Sequence, residues 1–486
     1  MVTFADLVED VEPIEITGDT TQEINKAEVD SRLIKDGDLF IAVDGHVVDG
    51  LKYLNEAIAN GAVAVIAGRP FTAKVPCKGV VKDIRVAVAR IAARLHNYPS
   101  RDLKLIGVSG TNGKTTIIHL LKSILEKRLL PVGLIGTLGY IAGKHSFPAV
   151  NTTPGPIDLE RLLTIMKNEQ VRYVVMEVSS HALAQQRVSQ LCFQVVGISN
   201  ITQDHLDYHG DFENYRQTKA RLLELVEGSD KWVVLNMDDP NYDYLLTRVN
   251  SSHMTFSLEN NRAEVTLEKL QTGPEGSIFT LITPIGREEV NLQLLGRFNV
   301  ENALCAAALA LAVGLDPMNI AAGLSEMGYV PGRAQKIDAG QPFTVLIDYA
   351  HTPDALMRIG QAAREICEGN LVLLFGCGGD RDKTKRAPMG KAASAVADVV
   401  IVTSDNPRSE DPLSIIEDIK PGLNSSKLAI IEPERRRAIE QALSLCRQDD
   451  LLVIAGKGHE DYQIIGAKRI HFDDREVIEN YLKGKE

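Results

Sequence analysis

Cysteine is scarce and scattered: six residues in 486, at Cys77, Cys192, Cys305, Cys367, Cys377 and Cys446, with no Cys-x-x-Cys pair among them. That pattern supplies neither a zinc site nor a disulfide framework, so all six are expected to be buried thiols of a reducing compartment. A basic surplus is missing too. The net charge of -12 argues against non-specific binding to nucleic acid or to an anionic membrane, while leaving room for local cationic phosphate sites. No apolar run approaches the ~18 residues that a spanning helix needs. Met1 to Ile16 is acidic and lacks the apolar stretch of a secretory leader, and no internal repeat or low-complexity tract is visible. The expectation is a soluble, cytoplasmic protein. What is present suits that class: 44% hydrophobic residues, 24% charged and 38 glycines. The length predicts about three domains, each able to bury its own core.

The chain is organised around Lys104-Leu-Ile-Gly-Val-Ser-Gly-Thr-Asn-Gly-Lys-Thr-Thr116. An apolar strand ends in Gly110, Thr111, Asn112, Gly113, Lys114, Thr115 and Thr116, and a helical pattern, Ile117 to Lys127, begins at once. Glycines let the backbone fold tightly so that its N-H groups and the helix N-terminus converge on an anion. Lys114 adds a point charge, and Thr115 a hydroxyl suited to Mg2+. The expected ligand is a nucleoside triphosphate. One position departs from the usual phosphate loop, because Val108 stands where its first glycine would be.

Residues 1–98 mix short apolar runs (Leu39 to Val43, Ala62 to Ile66, Gly79 to Val81) with a helical pattern over Val86 to His96, which predicts a small α/β domain. It carries Asp30-Ser31-Arg32, where polar side chains bonding their own turn are the favoured reading from the residues alone. A boundary near Tyr98-Pro99-Ser100 leads into residues 99–331. Here strands (Lys104 to Val108, Tyr173 to Val178, Phe193 to Ile198, Trp232 to Leu235) alternate with helices, as in a doubly wound parallel sheet. Between Met254 and Leu295, short alternating segments and glycine turns predict an antiparallel β addition, and a helix follows over Phe298 to Val313. After a hinge at Val330-Pro-Gly-Arg333, residues 332–486 repeat the alternation, with strands at Thr344 to Ile347, Leu371 to Phe375, Val399 to Thr403, Leu428 to Ile431 and Leu451 to Ala455. This reads as a Rossmann-like unit. Each polar loop in it follows a strand (Asp348 to His351, Gly376 to Arg381, Ser404 to Arg408, Gly456 to Glu460), so all should share one rim.

Glu177 closes the strand from Tyr173, opposite Thr115, where phosphoryl transfer needs an oxygen ligand for Mg2+. A carboxylate capping the next helix is the alternative. His205 lies in a loop of two histidines and two aspartates, Asn200 to His209. By periodicity alone, Lys219 on the helix from Phe212 is a solvated lysine.

Taken together, Gly110 to Thr116, Glu177-Val-Ser-Ser-His181, Asn200 to His205, Lys219, Gly296-Arg-Phe-Asn299, Asn302 and Asp348-Tyr-Ala-His351 resemble the Mur ligase family over essentially the whole chain. Asp30-Ser-Arg32, Asn151-Thr-Thr153, Ser179-x5-Gln185-x-Arg187 and Gly456-Lys-Gly-His-Glu460 are most similar to those members that extend UDP-N-acetylmuramoyl-L-alanyl-D-glutamate.

The resemblance implies an ATP-dependent amide ligase of peptidoglycan precursor synthesis, working through an acyl phosphate. It implies that Lys114 and the loop hold phosphates, that Thr115 and Glu177 bind one Mg2+, and that His205 helps hold a second. Lys219 would carry CO2 as a carbamate that completes the metal site, a role composition never shows. Asn299, Asn302, Arg333, Asp348 and His351 are implied as adenine, ribose and phosphate contacts. Ser31 and His46 are implied near the uridine, and Asn151, Thr152, Thr153, Ser179, Gln185 and Arg187 on the muramoyl peptide. Asp405-Asn406-Pro407-Arg408 marks family members that add meso-diaminopimelate, with Arg381, Gly456 and Glu460 beside it. A bidentate Arg408 suits the distal carboxylate, whereas L-lysine would leave its charge unpaired, costing roughly 3 kcal/mol or more. A turn in which Arg408 pairs with Glu410 or Asp411 is the structural alternative. Three other functions stay open: an L-lysine-adding ligase, a folylpolyglutamate synthetase-like ligase, and a non-catalytic nucleotide-binding regulator. A monomer is expected.

Overall fold

The computed structural model describes residues 2–45, 49–128, 131–425 and 427–484; His46 lies outside them. Runs of Val, Ile and Leu without polar alternation demand strands covered on both faces, and the interior strands of three sheets meet that demand. The first has the order Pro13–Gly18, Cys77–Val81, Ala62–Ala67, Asp38–Ala42 and Ala27–Glu28, all parallel except the first pairing. The helix Ile84–Leu95 buries Ala87, Val88, Ile91 and Ala92 in the core of this sheet.

The central sheet has eight strands, ordered His145–Phe147, Gly139–Ala142, Val132–Gly136, Tyr173–Glu177, Lys104–Ser109, Phe193–Ile198, Gly228–Asn236 and Ser251–Phe256. The last six pair in parallel, with the strand feeding the phosphate loop in the interior. One core lies between this sheet and the helices Lys114–Glu126 and Arg297–Ala312, and a second covers the opposite face. The antiparallel addition is three strands, Thr266–Gly273, Gly276–Thr283 and Gly286–Leu292. It begins later than the residue pattern suggests. Met254 belongs instead to the last parallel strand of the main sheet, because Ser251–Phe256 finds an open edge beside Gly228–Asn236.

The third sheet runs Gln335–Ile337, Thr344–Asp348, Leu451–Ala455, Leu371–Phe375, Val399–Val402 and Leu428–Ile431, parallel after its first pairing. Its polar loops therefore share one carboxyl rim, which faces the central domain. Two expectations need correction. Cys192 is exposed, and Cys367 and Cys446 are only partly buried. Cys192 sits in the turn entering Phe193–Ile198, before the strand becomes covered. Lys219 is not solvated but almost wholly buried, as described below.

Candidate active site

Lys104–Ser109 ends at the sheet's carboxyl edge, and the helix Lys114–Glu126 starts after four intervening residues. Gly113 occupies the N-cap at φ +88°, no side chain caps the helix, and a Cβ there would stand 2.2 Å from Asn302 Oδ1. Only glycine allows both the turn and that approach. Lys114 Nζ donates to the carbonyls of Gly110 and Thr111 at 2.8 and 3.0 Å. Burial lowers its pKa, and Glu177 and Asp204 oppose the shift.

Glu177 reaches the same loop. Thr115 Oγ1 donates to its Oε1 at 3.0 Å, the Thr137 amide donates to the same oxygen at 2.8 Å, and the Thr137 hydroxyl donates to Oε2 at 3.1 Å. The carboxylate is thus aimed at the hydroxyl that follows Lys114, rather than capping the next helix. Ser179 does that capping, through the Ala182 amide.

Lys219 lies on Phe212–Glu224 with 1% of its surface exposed, and its amine donates to Gly110 O at 2.7 Å. Burial first, and Lys114 second, push its pKa well below that of an ordinary lysine, with Asp204 opposing. A helix packed against the phosphate loop through Tyr215, whose hydroxyl lies 3.0 Å from Thr111 Oγ1, forces this burial. His205 stands at φ +53° with Nε2 3.4 Å from Asp204 Oδ2 and its ring 4.8 Å from that of His181. Among the described residues, no group of three His, Cys, Asp or Glu side chains is arranged to hold a metal ion.

The third domain closes one wall. Arg333 Nη2 donates to Thr115 Oγ1 at 2.9 Å, and Asn112 Nδ2 donates to Asp354 Oδ2 at 2.8 Å. Asp348 accepts the Ala334 and Ala350 amides, both at 2.7 Å, while burial raises its pKa. His351 Nδ1 lies 2.8 Å from Tyr349 O. Asn302 donates to Asn299 at 3.0 Å, and Asn299 to Leu295 O at 2.8 Å, so Asn299 fixes Asn302 from behind. The cavity so enclosed, of about 240 Å³, is lined by Lys114, Thr115, Glu177, His205, Lys219, Asn302, Arg333, Asp348 and His351.

The other sequence-derived positions fall into separate groups. Thr152 and Ser179 reach the same cavity. Thr153 Oγ1 donates to Glu177 O at 2.9 Å, and Arg187 donates to Thr153 O and Gln185 Oε1, both at 2.7 Å. Asn151 offers its carbonyl to Tyr140. Ser31 lies in the first domain and donates to Glu56 Oε2 at 2.5 Å; the turn is bonded locally by Asp30 and Arg32 instead.

A further group lies on the rim of the third sheet. Arg408, at φ +52°, donates to Gly379 O at 2.8 Å. It does not pair with Glu410, which holds Arg386 and Lys383, nor with Asp411, which caps the helix Pro412–Ile419. Asn406 Nδ2 donates to Glu460 Oε2 at 2.8 Å, and Gly456, at φ +111°, lets its chain pass beside Asp405. Pro407 offers its carbonyl to the Glu410 amide, and Arg381 is exposed on the same rim.

Comparison with known proteins agrees with this three-part layout. The family models of the Mur ligase catalytic domain, middle domain and glutamate ligase domain match residues 23–102, 108–310 and 332–458. A UDP-N-acetylmuramoyl-L-alanyl-D-glutamate--2,6-diaminopimelate ligase of Geobacillus thermodenitrificans is 43% identical over 95% of both chains. This chain belongs to the Mur ligase family. A ligase of the same name from Gloeobacter violaceus is 44% identical over 93% of this chain and 92% of its own. A solved structure with that name covers 99% of both chains, at 32% identity and a TM-score of 0.70.

Several residues of this Mur ligase's site escape sequence reasoning. Thr137 closes the bonds around Glu177 from the turn between Val132–Gly136 and Gly139–Ala142, with no motif to mark it. Asp354 and Arg358 tie the domains together, the latter through Glu301 at 3.3 Å. Lys457, fully buried, stands 3.4 Å from Glu460 and 3.8 Å from Asp405. Its position inside Gly456 to Glu460 is the one available signal.

Proposed function

We propose that this Mur ligase adds meso-diaminopimelate to UDP-N-acetylmuramoyl-L-alanyl-D-glutamate, with ATP, as a step of peptidoglycan precursor synthesis. The observation that carries the reading is the meeting of Thr115, Glu177, Lys219 and Arg333 around one phosphate loop, under a rim that holds Asn406, Arg408 and Glu460. A carboxylate resists amine attack because its oxygen leaves poorly. Phosphorylation of the D-glutamyl carboxylate gives an acyl phosphate, which the amine displaces through a tetrahedral intermediate; no protein nucleophile is needed.

The residues suit this chemistry. The uncapped helix start, the glycine turn and Lys114 fit the β- and γ-phosphates. A hydroxyl and a carboxylate 3.0 Å apart on Thr115 and Glu177 fit Mg2+, which when bound neutralises developing phosphate charge. Arg333 sits close enough to Thr115 to steady the transferring group. His205 is the second metal's protein ligand, and Lys219 carries CO2. A buried amine held below its usual pKa is nucleophilic towards CO2, and the resulting carbamate supplies a further anion on the side of the cavity where Lys219 meets the phosphate loop. Asn299, Asn302, Asp348 and His351 form the adenosine side. Ser31 and His46 take the uridine end; Asn151, Thr152, Thr153, Ser179, Gln185 and Arg187 take the muramoyl peptide.

Arg408 chooses the amino acid. Freed from Glu410 and Asp411, its guanidinium is available to the distal carboxylate of diaminopimelate, with Arg381, Asp405, Asn406, Pro407, Gly456 and Glu460 shaping the pocket. All these groups come from a single chain, so a cytoplasmic monomer suffices. Phosphate release measured across a panel of amino acids tests the reading. Diaminopimelate should support release only with the UDP-linked dipeptide present; equal release with L-lysine would refute the specificity, and ATP binding without any release would refute the ligase.

A further inference from the structure

Tyr349 stands between the two halves of the site, and neither half accounts for it. Its ring lines the phosphate cavity, and the Arg333 guanidinium, which reaches Thr115, lies over that ring 4.8 Å from the centroid. On its other side the hydroxyl donates to Glu460 Oε1 at 3.4 Å. Glu460 in turn accepts from Asn406 and faces Lys457. Burial, with Glu460 second, raises the Tyr349 pKa far above its ordinary value, so the hydroxyl remains a donor. Packing fixes the ring from three directions. His459 and His351 approach at centroid distances of 5.1 and 4.8 Å. A Cβ on Gly458 would stand 2.8 Å from Tyr349 Cβ, and one on the hinge Gly332, at φ +65°, 2.2 Å from His459 N. The hinge, the strand end and the loop Gly456 to Glu460 therefore interlock around one side chain.

We infer that Tyr349 is a positioning residue that couples the nucleotide pocket to the amino-acid pocket. Arg333 held at Thr115 sets the ring, and the ring sets the hydroxyl that orients the Glu460 carboxylate towards the incoming amino acid. Residues packed in contact and sharing a hydrogen-bond chain are expected to couple energetically. The inference rests on the proposed ligase reading for what Glu460 receives.

Tyr349→Phe keeps the ring and removes only the donor. In the phosphate-release assay with the UDP-linked dipeptide, its KM for diaminopimelate should rise about tenfold, the worth of one hydrogen bond to a charged group. Its KM for ATP should change less than twofold, and its melting temperature should stay within about 2 °C of wild type. In a Glu460→Ala background, Tyr349→Phe should have less than a twofold further effect on the diaminopimelate KM. Equal rises in both KM values, an unchanged diaminopimelate KM, or full additivity with Glu460→Ala would overturn the positioning role. Wild-type protein that releases no phosphate with dipeptide and diaminopimelate would instead overturn the ligase reading.

Discussion

Lys219 allows the sharpest test of the site, because its place in the fold and its proposed chemistry make opposite demands. The amine is 1% exposed and donates to Gly110 O at 2.7 Å. Replacing it with methionine keeps most of the buried chain. The variant loses one hydrogen bond, about 1 kcal/mol, and recovers a desolvation penalty of about 1–3 kcal/mol. These effects nearly cancel, so Lys219→Met should melt within about 5 °C of wild type for a domain of this size. Activity has no such compensation. If the amine carries CO2, its loss removes an anion beside the phosphates, and phosphate release should fall about 100-fold or more. Lys219→Ala opens space at the same place, and millimolar formate or acetate should partly restore its turnover. Melting curves, phosphate release and rescue, read on the same preparations, separate the contributions. More than a tenth of wild-type activity in Lys219→Met would refute the catalytic assignment. Inactivity with a collapsed melting curve would show that the lysine serves the fold instead.

Three further outcomes follow from other parts of the molecule. Arg408→Ala should raise the diaminopimelate KM about 30-fold or more and leave the L-lysine KM nearly unchanged, because only the former has a distal carboxylate to lose; steady-state kinetics with both amino acids checks this. Arg386, wholly buried, donates to Glu410 and Asp418, and the hydrogen bonds from Arg386 hold the Glu410 carboxyl down at about 2. A depressed pKa gives stability that is present above the unfolded value and lost as pH falls. Glu410→Gln should therefore be less stable than wild type by about 3 kcal/mol near neutrality, with the gap closing between pH 4.5 and about 2 in denaturant titrations. Gly332→Ala meets both a left-handed φ of +65° and the His459 amide at 2.2 Å. It should cost about 1–3 kcal/mol and weaken amino-acid use more than ATP binding, measured by calorimetric titration of each.

Much of the fold was legible from composition and period. The strands Leu371–Phe375 and Leu451–Ala455 stand where uninterrupted apolar runs end in polar loops, because a strand covered on both faces has no reason to alternate. The phosphate loop was legible for a similar reason, since its glycines, lysine and threonine act within one turn of chain. Met254 was misassigned because edge pairing depends on which strand lies alongside, and that is a matter of distance in space.

The αβ alternation, the Gly110 to Thr116 loop and the chemical inventory that resembles a ligase (Glu177, His205, Lys219, Arg408) are written along the chain. Folding alone buries Lys219 against Gly110 O, 109 residues away in the chain, closes Thr137 around Glu177 and keeps Arg408 apart from Glu410. It also placed Arg333 on Thr115 across 218 residues, with Tyr349 behind it. The physical reason is the same in each case. Local backbone geometry and apolar period are written in neighbouring residues, whereas burial, charge pairing and pKa depend on what the folded chain brings within a few ångströms.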